Sequence, residues 1–324
     1  MDVTWVFQTP AVTALKGAAV RLKSHATGMH TRLMTRSPAS TSDAAPPLRV
    51  VAPATEDETR AALLARSNRD FAPIAKVFVQ SPDQKQATRE GPLSEFVRCG
   101  DLRGLQAFCL LHAIISSGDG ENGWSTTLPI SVWARAFGTT RSATLRSASA
   151  AATKVLTRLE RRKLIGRTRR GRERRVTVTL LRPDGRGREY TRPGRGNDDR
   201  FLKLPNIYWT AGWHERLDLP ATAMLLVALH EKPGFELPTE HMSAWYGFSP
   251  DTAERGLKSL VKAGAIEVRQ ESRKEPLSPT GRTKVNIYTL QPPFTLAASA
   301  QVTAGRPAPR RGGRTKATGR GAGR

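Results

Sequence analysis

Nine basic residues and one acid crowd into "RRKLIGRTRRGRERR", residues 161–175. Side chains of this kind at this density suit phosphate: each cation that neutralises a phosphate releases a condensed counterion, and none of them needs to recognise a base. Farther along, in "PDTAERGLKSLVK", Thr252, Arg255, Ser259 and Lys262 recur at intervals of three, four and three. That spacing puts them on one side of a helix. Ala151, Lys154, Arg158 and Arg161 repeat the same intervals about a hundred residues earlier. An arginine held out from a helix can bond O6 and N7 of a guanine in the major groove, which is how sequence is read. The candidate DNA contacts are therefore Lys154, Arg158, Arg161, Arg167, Arg169, Arg170, Arg172, Arg174 and Arg175 in the first copy, with Thr252, Arg255, Ser259 and Lys262 in the second. A basic helix face can also be plain solvated surface. Two matching stripes in a chain of net charge +24 favour a polyanion.

Other chemistry finds no constellation. The six histidines, His25, His30, His112, His214, His230 and His241, are scattered without metal-ligand spacing, and Cys99 and Cys109 fit neither a zinc site nor a disulfide framework. No glycine-rich loop stands between a strand and a helix, and Tyr190 and Tyr208 lack a surrounding Arg and His set. The expectation is no enzyme, no catalytic or metal-binding residues and no cofactor. Tyr208, Trp209 and Trp213 in "NIYWTAGW" read as packing rather than a base-stacking platform. His112 and His230, on apolar-rich helices, read as packing or surface residues.

The elements that must position the basic stripes repeat as well. "LPISVWARAFG" at 128–138 and "LPTEHMSAWYG" at 237–247 keep a Leu-Pro pair and a glycine at one distance, and Leu156, Leu159 and Ile165 match Leu257, Leu260 and Ile266. Each copy orders a helix, a short extended stretch, a helix stopped by Gly138 or Gly247, a second helix, and two strands. Ser249, Pro250 and Asp251 form a strong helix start, whereas the first copy inserts eight residues there. Val132, Trp133 and Phe137, then Met242, Trp245 and Tyr246, are expected inside, as are Ala253, Leu257, Leu260 and Val261. The implied fold class is mainly α with small β wings: two tandem winged helix-turn-helix domains flanked by disordered tails. The boundaries are a disordered front (1–67, with a weak helix near Glu58–Arg66), domain 1 (68–190), a linker (191–199), domain 2 (200–295) and a basic tail (296–324).

Two tandem units of this order, with "LPTEHMSAWYGFSPDTAERGLKSLVKAGAIEV" as the clearest phrase, resemble the initiator proteins of iteron-type plasmids and related mobile elements. The phrase is also similar to winged helix transcription regulators. The likeness spans about residues 71–294, and its motifs specify a fold better than a family. It implies sequence-specific binding of double-stranded DNA at a replication origin or an operator, over about 20 base pairs. The other class that remains open is an architectural or RNA-binding basic protein. Implied partners are double-stranded DNA, a second copy of the chain as a homodimer, and replication or transcription machinery. No apolar run reaches the roughly 18 residues of a membrane span, so no membrane is expected. The expected location is the cytoplasm, with the nucleoid.

Overall fold

The computed structural model describes residues 52–83, 85, 87–118, 123–141, 143–170, 175–194 and 200–295. It corrects the expected class. The chain is mixed α/β, 42% helical and 23% strand, with ten α-helices and three antiparallel sheets among the described residues. The expected class has too few strands because two of them, β1 (Phe71–Ala75) and β5 (Phe201–Pro205), hold their partners in the other half of the chain. Their residue patterns show no local mate. The long second hairpin adds more strand than a small wing would.

The described chain begins with α1 (Glu56–Ala65), set by a capping box in which Thr55 and Glu58 each bond the other's backbone N–H, at 3.2 and 2.8 Å. Leu63 and Leu64 of this helix join the core. The front read as unstructured therefore contains a packed helix before residue 67; residues 1–51 and the tail 296–324 lie outside the described residues. After β1 and a 3-10 turn at Lys76–Phe78 come α2 (Leu93–Arg98), α3 (Leu102–Ile114), β2 (Ser125–Pro129), α4 (Ile130–Ala136), α5 (Leu145–Arg161), β3 (Ile165–Arg170) and β4 (Arg175–Leu180). The second half follows β5 with α6 (Ile207–Thr210), α7 (Trp213–Arg216), α8 (Leu219–His230), β6 (Phe235–Glu236), a 3-10 turn at Thr239–His241, α9 (Met242–Tyr246), α10 (Pro250–Lys262), β7 (Ile266–Lys274) and β8 (Arg282–Leu290). The halves share one sheet order, β2-β4-β3 and β6-β8-β7.

The turn before each second helix is set by local chemistry. Gly138 and Gly247 take φ of +67° and +71°, a region open to glycine, and each closes the helix before it. Ser249 accepts from Thr252 N at 3.2 Å and Pro250 fills the first helical position, so α10 starts where the sequence says. Thr144 does the same for α5 through Ser147 N. Inward, α10 buries Ala253, Gly256, Leu257 and Leu260; each leucine contributes about 1.5–3 kcal/mol. Val261, expected with them, is 39% exposed at the edge of the packed face. Gly256 allows the closest approach: a Cβ there would sit 2.5 Å from the Pro220 carbonyl and 2.6 Å from Met224 Cγ of α8.

The described residues of blocks 68–190 and 200–295 belong to one compact unit. β1 and β5 pair antiparallel from Phe71↔Pro205 through Pro73↔Lys203 to Ala75↔Phe201. Their inward residues, Ala72, Ile74, Leu202 and Leu204, are buried. Gln106 donates to the His214 carbonyl at 2.5 Å, and Arg89 N donates to the Ala244 carbonyl at 2.7 Å. The aromatic residues of "NIYWTAGW" are core: Tyr208, Trp209 and Trp213 are all buried, Trp213 against Phe294.

Candidate nucleic-acid interface

On α10, Arg255 and Lys262 are exposed, and Thr252 and Ser259 half-buried along the flank of the same face. Arg255 keeps 62% of its side chain in solvent; its ion-pair partner is Asp251, one turn back in the same helix at 3.6 Å. An exposed pair of that kind is worth little and gives way easily to a phosphate or a guanine. The outermost strip of the helix also carries Glu254, held 2.6 Å from Lys258. The outer side therefore carries three cations, Arg255, Lys258 and Lys262, interspersed with the acids Asp251 and Glu254.

The equivalent helix in the first half is used differently. Arg158 turns back into the fold: its Nε and Nη2 grip both oxygens of Asp101 at 2.9 and 2.8 Å. Asp101 is buried at the start of α3, caps Gly104 N at 2.9 Å, and also receives Arg162 Nη1 at 2.6 Å. Burial alone would raise the Asp101 carboxyl, but the hydrogen bonds from Arg158, Arg162 and Gly104 N–H outweigh it and hold the group below the usual carboxylate range. Arg167 is similarly committed, to Glu160 at 2.8 Å and Thr157 Oγ1 at 3.1 Å, with 16% of its side chain exposed. Both were expected at DNA; both are structural ties. Spacing alone cannot separate Arg158 from a reading face, because Asp101 lies far back in the sequence.

The outward side of α5 carries Arg146, Ala150, Lys154 and Arg161, all exposed. Lys154 and Arg161 were expected there. Arg146 was not, although the Thr144 cap with a start at Leu145 places it one and two turns ahead of Ala150 and Lys154. On the hairpin, Arg169 and Arg175 are exposed, and Arg170 lies opposite Arg175 in the β3–β4 ladder. Arg172 and Arg174, at the tip, lie outside the described residues.

Elsewhere the titratable groups are structural. His112 is buried between Phe108 and Tyr190, and burial, with Arg69 nearby, pushes its imidazole down to about 3. Burial pushes the Cys109 thiol well up, which disfavours a thiolate nucleophile. Asp57, His214 and Glu215 bring ligand atoms within 4.8 Å of one another, a grouping that scattered histidines did not suggest. Its acids already face cations: Arg60 bonds Asp57 at 2.5 Å and Arg141 bonds Glu215. That donor set suits an ion-pair network better than a divalent metal.

No helix among the described residues is long and apolar enough to cross a membrane. No protein-family model, no curated protein and no solved structure matches this chain.

Proposed function

We propose that the protein binds double-stranded DNA in a sequence-specific manner, with α10 as the principal reading helix and the α5 side and its hairpin as the main grip on phosphate. The observation that carries this reading is the state of Arg255. It stands on a helix whose start is fixed by Ser249 and Pro250, whose inner face is buried, and whose outer arginine has no tertiary partner to give up among the described residues. The exposed Arg146, Lys154, Arg161, Arg169 and Arg175 supply the electrostatic part, with the overall charge of +24 behind them. Two units in one chain suit a site of about 20 base pairs. An origin or an operator meets this requirement equally, and the resemblance to plasmid initiators supports the former. No catalytic step belongs to this reading.

Selection of duplexes from a random library by the full-length protein, followed by footprinting, tests it. A recurring motif with a steep salt dependence is expected. Enrichment of no motif, or tighter binding of single-stranded RNA than of any duplex, would overturn the reading. Tandem copies of the motif beside an AT-rich stretch would mark an initiator; one copy in the gene's own promoter would mark a regulator.

A further inference from the structure

The two sheets share an order but not a shape. In the first, β2 runs along nearly all of β4, from Ser125 opposite Thr179 to Pro129 opposite Arg175. In the second, β6 covers only Ile287 and Tyr288 of β8. Beyond that point β7 and β8 continue as a two-stranded ribbon, paired without a break from Val268↔Tyr288 out to Lys274↔Arg282. By composition this hairpin mixes five basic residues with three acids. The register shows that these charges are sorted by face.

Alternate residues of a strand point to opposite sides. One side of β7 carries Glu267, Arg269, Glu271 and Arg273, and its charges are largely spent: Arg269 pairs with Glu271, and Arg273 reaches Glu236 at 2.9 Å. The other side carries Gln270, Ser272 and Lys274, with Asn286, Lys284 and Arg282 directly opposite. All six are exposed, and none is an acid. At its inner end this side continues into buried Ile266 and Tyr288, so it is the side on which the helices pack. The acid-free face thus projects past the body on the same side of the sheet as α10.

We infer that this outer face is a second base-reading element of the DNA surface, entering the major groove beside α10. The inference rests on the duplex-binding reading above. A two-stranded ribbon, its strands about 4.8 Å apart, fits a major groove about 12 Å wide. Gln270 and Asn286 form a cross-strand pair of amides, and each amide can bond N6 and N7 of an adenine. Asn286 is steadied by a 3.4 Å contact from its Nδ2 to the Tyr288 hydroxyl. Lys274, Arg282 and Lys284 lie toward the tip, where they meet the phosphates bordering the groove.

The test uses the full-length protein and the duplex it selects from a random library. Gln270→Ala with Asn286→Ala is expected to lower the preference for that duplex over random duplex about five- to a hundredfold, with binding to random duplex unchanged. Lys274→Ala, Arg282→Ala and Lys284→Ala together should weaken both duplexes alike and reduce the salt slope by about 0.9 for each phosphate no longer neutralised. Arg269→Ala with Glu271→Ala, on the opposite face, should change neither by more than about twofold. If the amide pair leaves preference intact while Arg255→Ala relaxes it, the ribbon is not a reader, although duplex binding by α10 stands. If the wild-type protein prefers no duplex at all, both readings fall together.

Discussion

Replacing Arg158 with alanine separates a structural arginine from a DNA-binding one. The side chain makes two charge-assisted bonds to Asp101, at 2.9 and 2.8 Å. Hydrogen bonds to charged groups contribute about 1.5–3 kcal/mol each in favourable settings. Here 37% of the arginine side chain is in solvent, and Asp101 would retain Arg162 and Gly104 N. A net cost of about 1–2 kcal/mol is therefore expected, read as a lower urea midpoint with an unchanged slope. Asp101→Ala should cost more, about 3–5 kcal/mol, because it also leaves buried Arg162 short of a partner and removes a cap. Its pH signature follows from the depressed carboxyl: the stabilisation is complete above the unfolded pKa near 3.9 and is lost as pH falls through the lower folded value. Wild type and Asp101→Ala should therefore converge in stability only in strong acid. Duplex affinity of folded Arg158→Ala should stay within about twofold of wild type. A loss of tenfold or more in affinity, with the urea midpoint unmoved, would refute the structural assignment and return Arg158 to the interface.

Arg255→Ala should cost about 1–3 kcal/mol on the selected duplex and relax preference at one base position, measured by competition against random duplex; an equal loss on every sequence would demote α10 to a phosphate grip. Gly256→Ala should destabilise the fold by about 1–3 kcal/mol in urea melts, because its methyl would press on Pro220 and Met224 across the α8–α10 contact. His112 is held neutral with its pKa near 3, below an unfolded value of about 6.5, so stability should decline as pH falls from 6.5 toward 3, by up to about 1.4 kcal/mol per unit. His112→Leu should flatten that slope, as followed by urea midpoints across the range. Arg169→Ala with Arg175→Ala should lower affinity for all duplexes alike and reduce the salt slope, read from binding between about 50 and about 200 mM salt.

The parts of the fold that local chemistry dictates were legible. Gly138, Gly247, Ser249 and Pro250 each act within a turn, so their consequences do not wait on the rest of the chain. The core positions of α10 followed from a 3.6-residue period, except Val261, which sits where the packed face ends. Nonlocal pairing was not legible. Nothing in "FAPIA" announces "FLKLP" as its partner, and the expected class lacks that sheet. The same limit bears on the candidate site. Arg158 and Arg161 look alike in sequence, yet one meets a buried carboxylate from another helix and the other meets water. Face sorting in the second hairpin needed the register, because a count of charges averages the two sides.

The β1–β5 ladder also sets an order of events. Its strands are separated by nearly the whole first half, so it cannot close until the second half has begun to emerge. At synthesis rates of about 5–20 residues per second, β1 waits roughly 7–27 s for β5 to emerge. An unpaired strand edge held that long invites pairing with a neighbouring chain. Pro73, at the centre of β1, has no N–H to offer such a neighbour, and its eventual partner position carries Lys203. The proline that looks out of place in a strand thus guards the nascent edge until its own second half arrives.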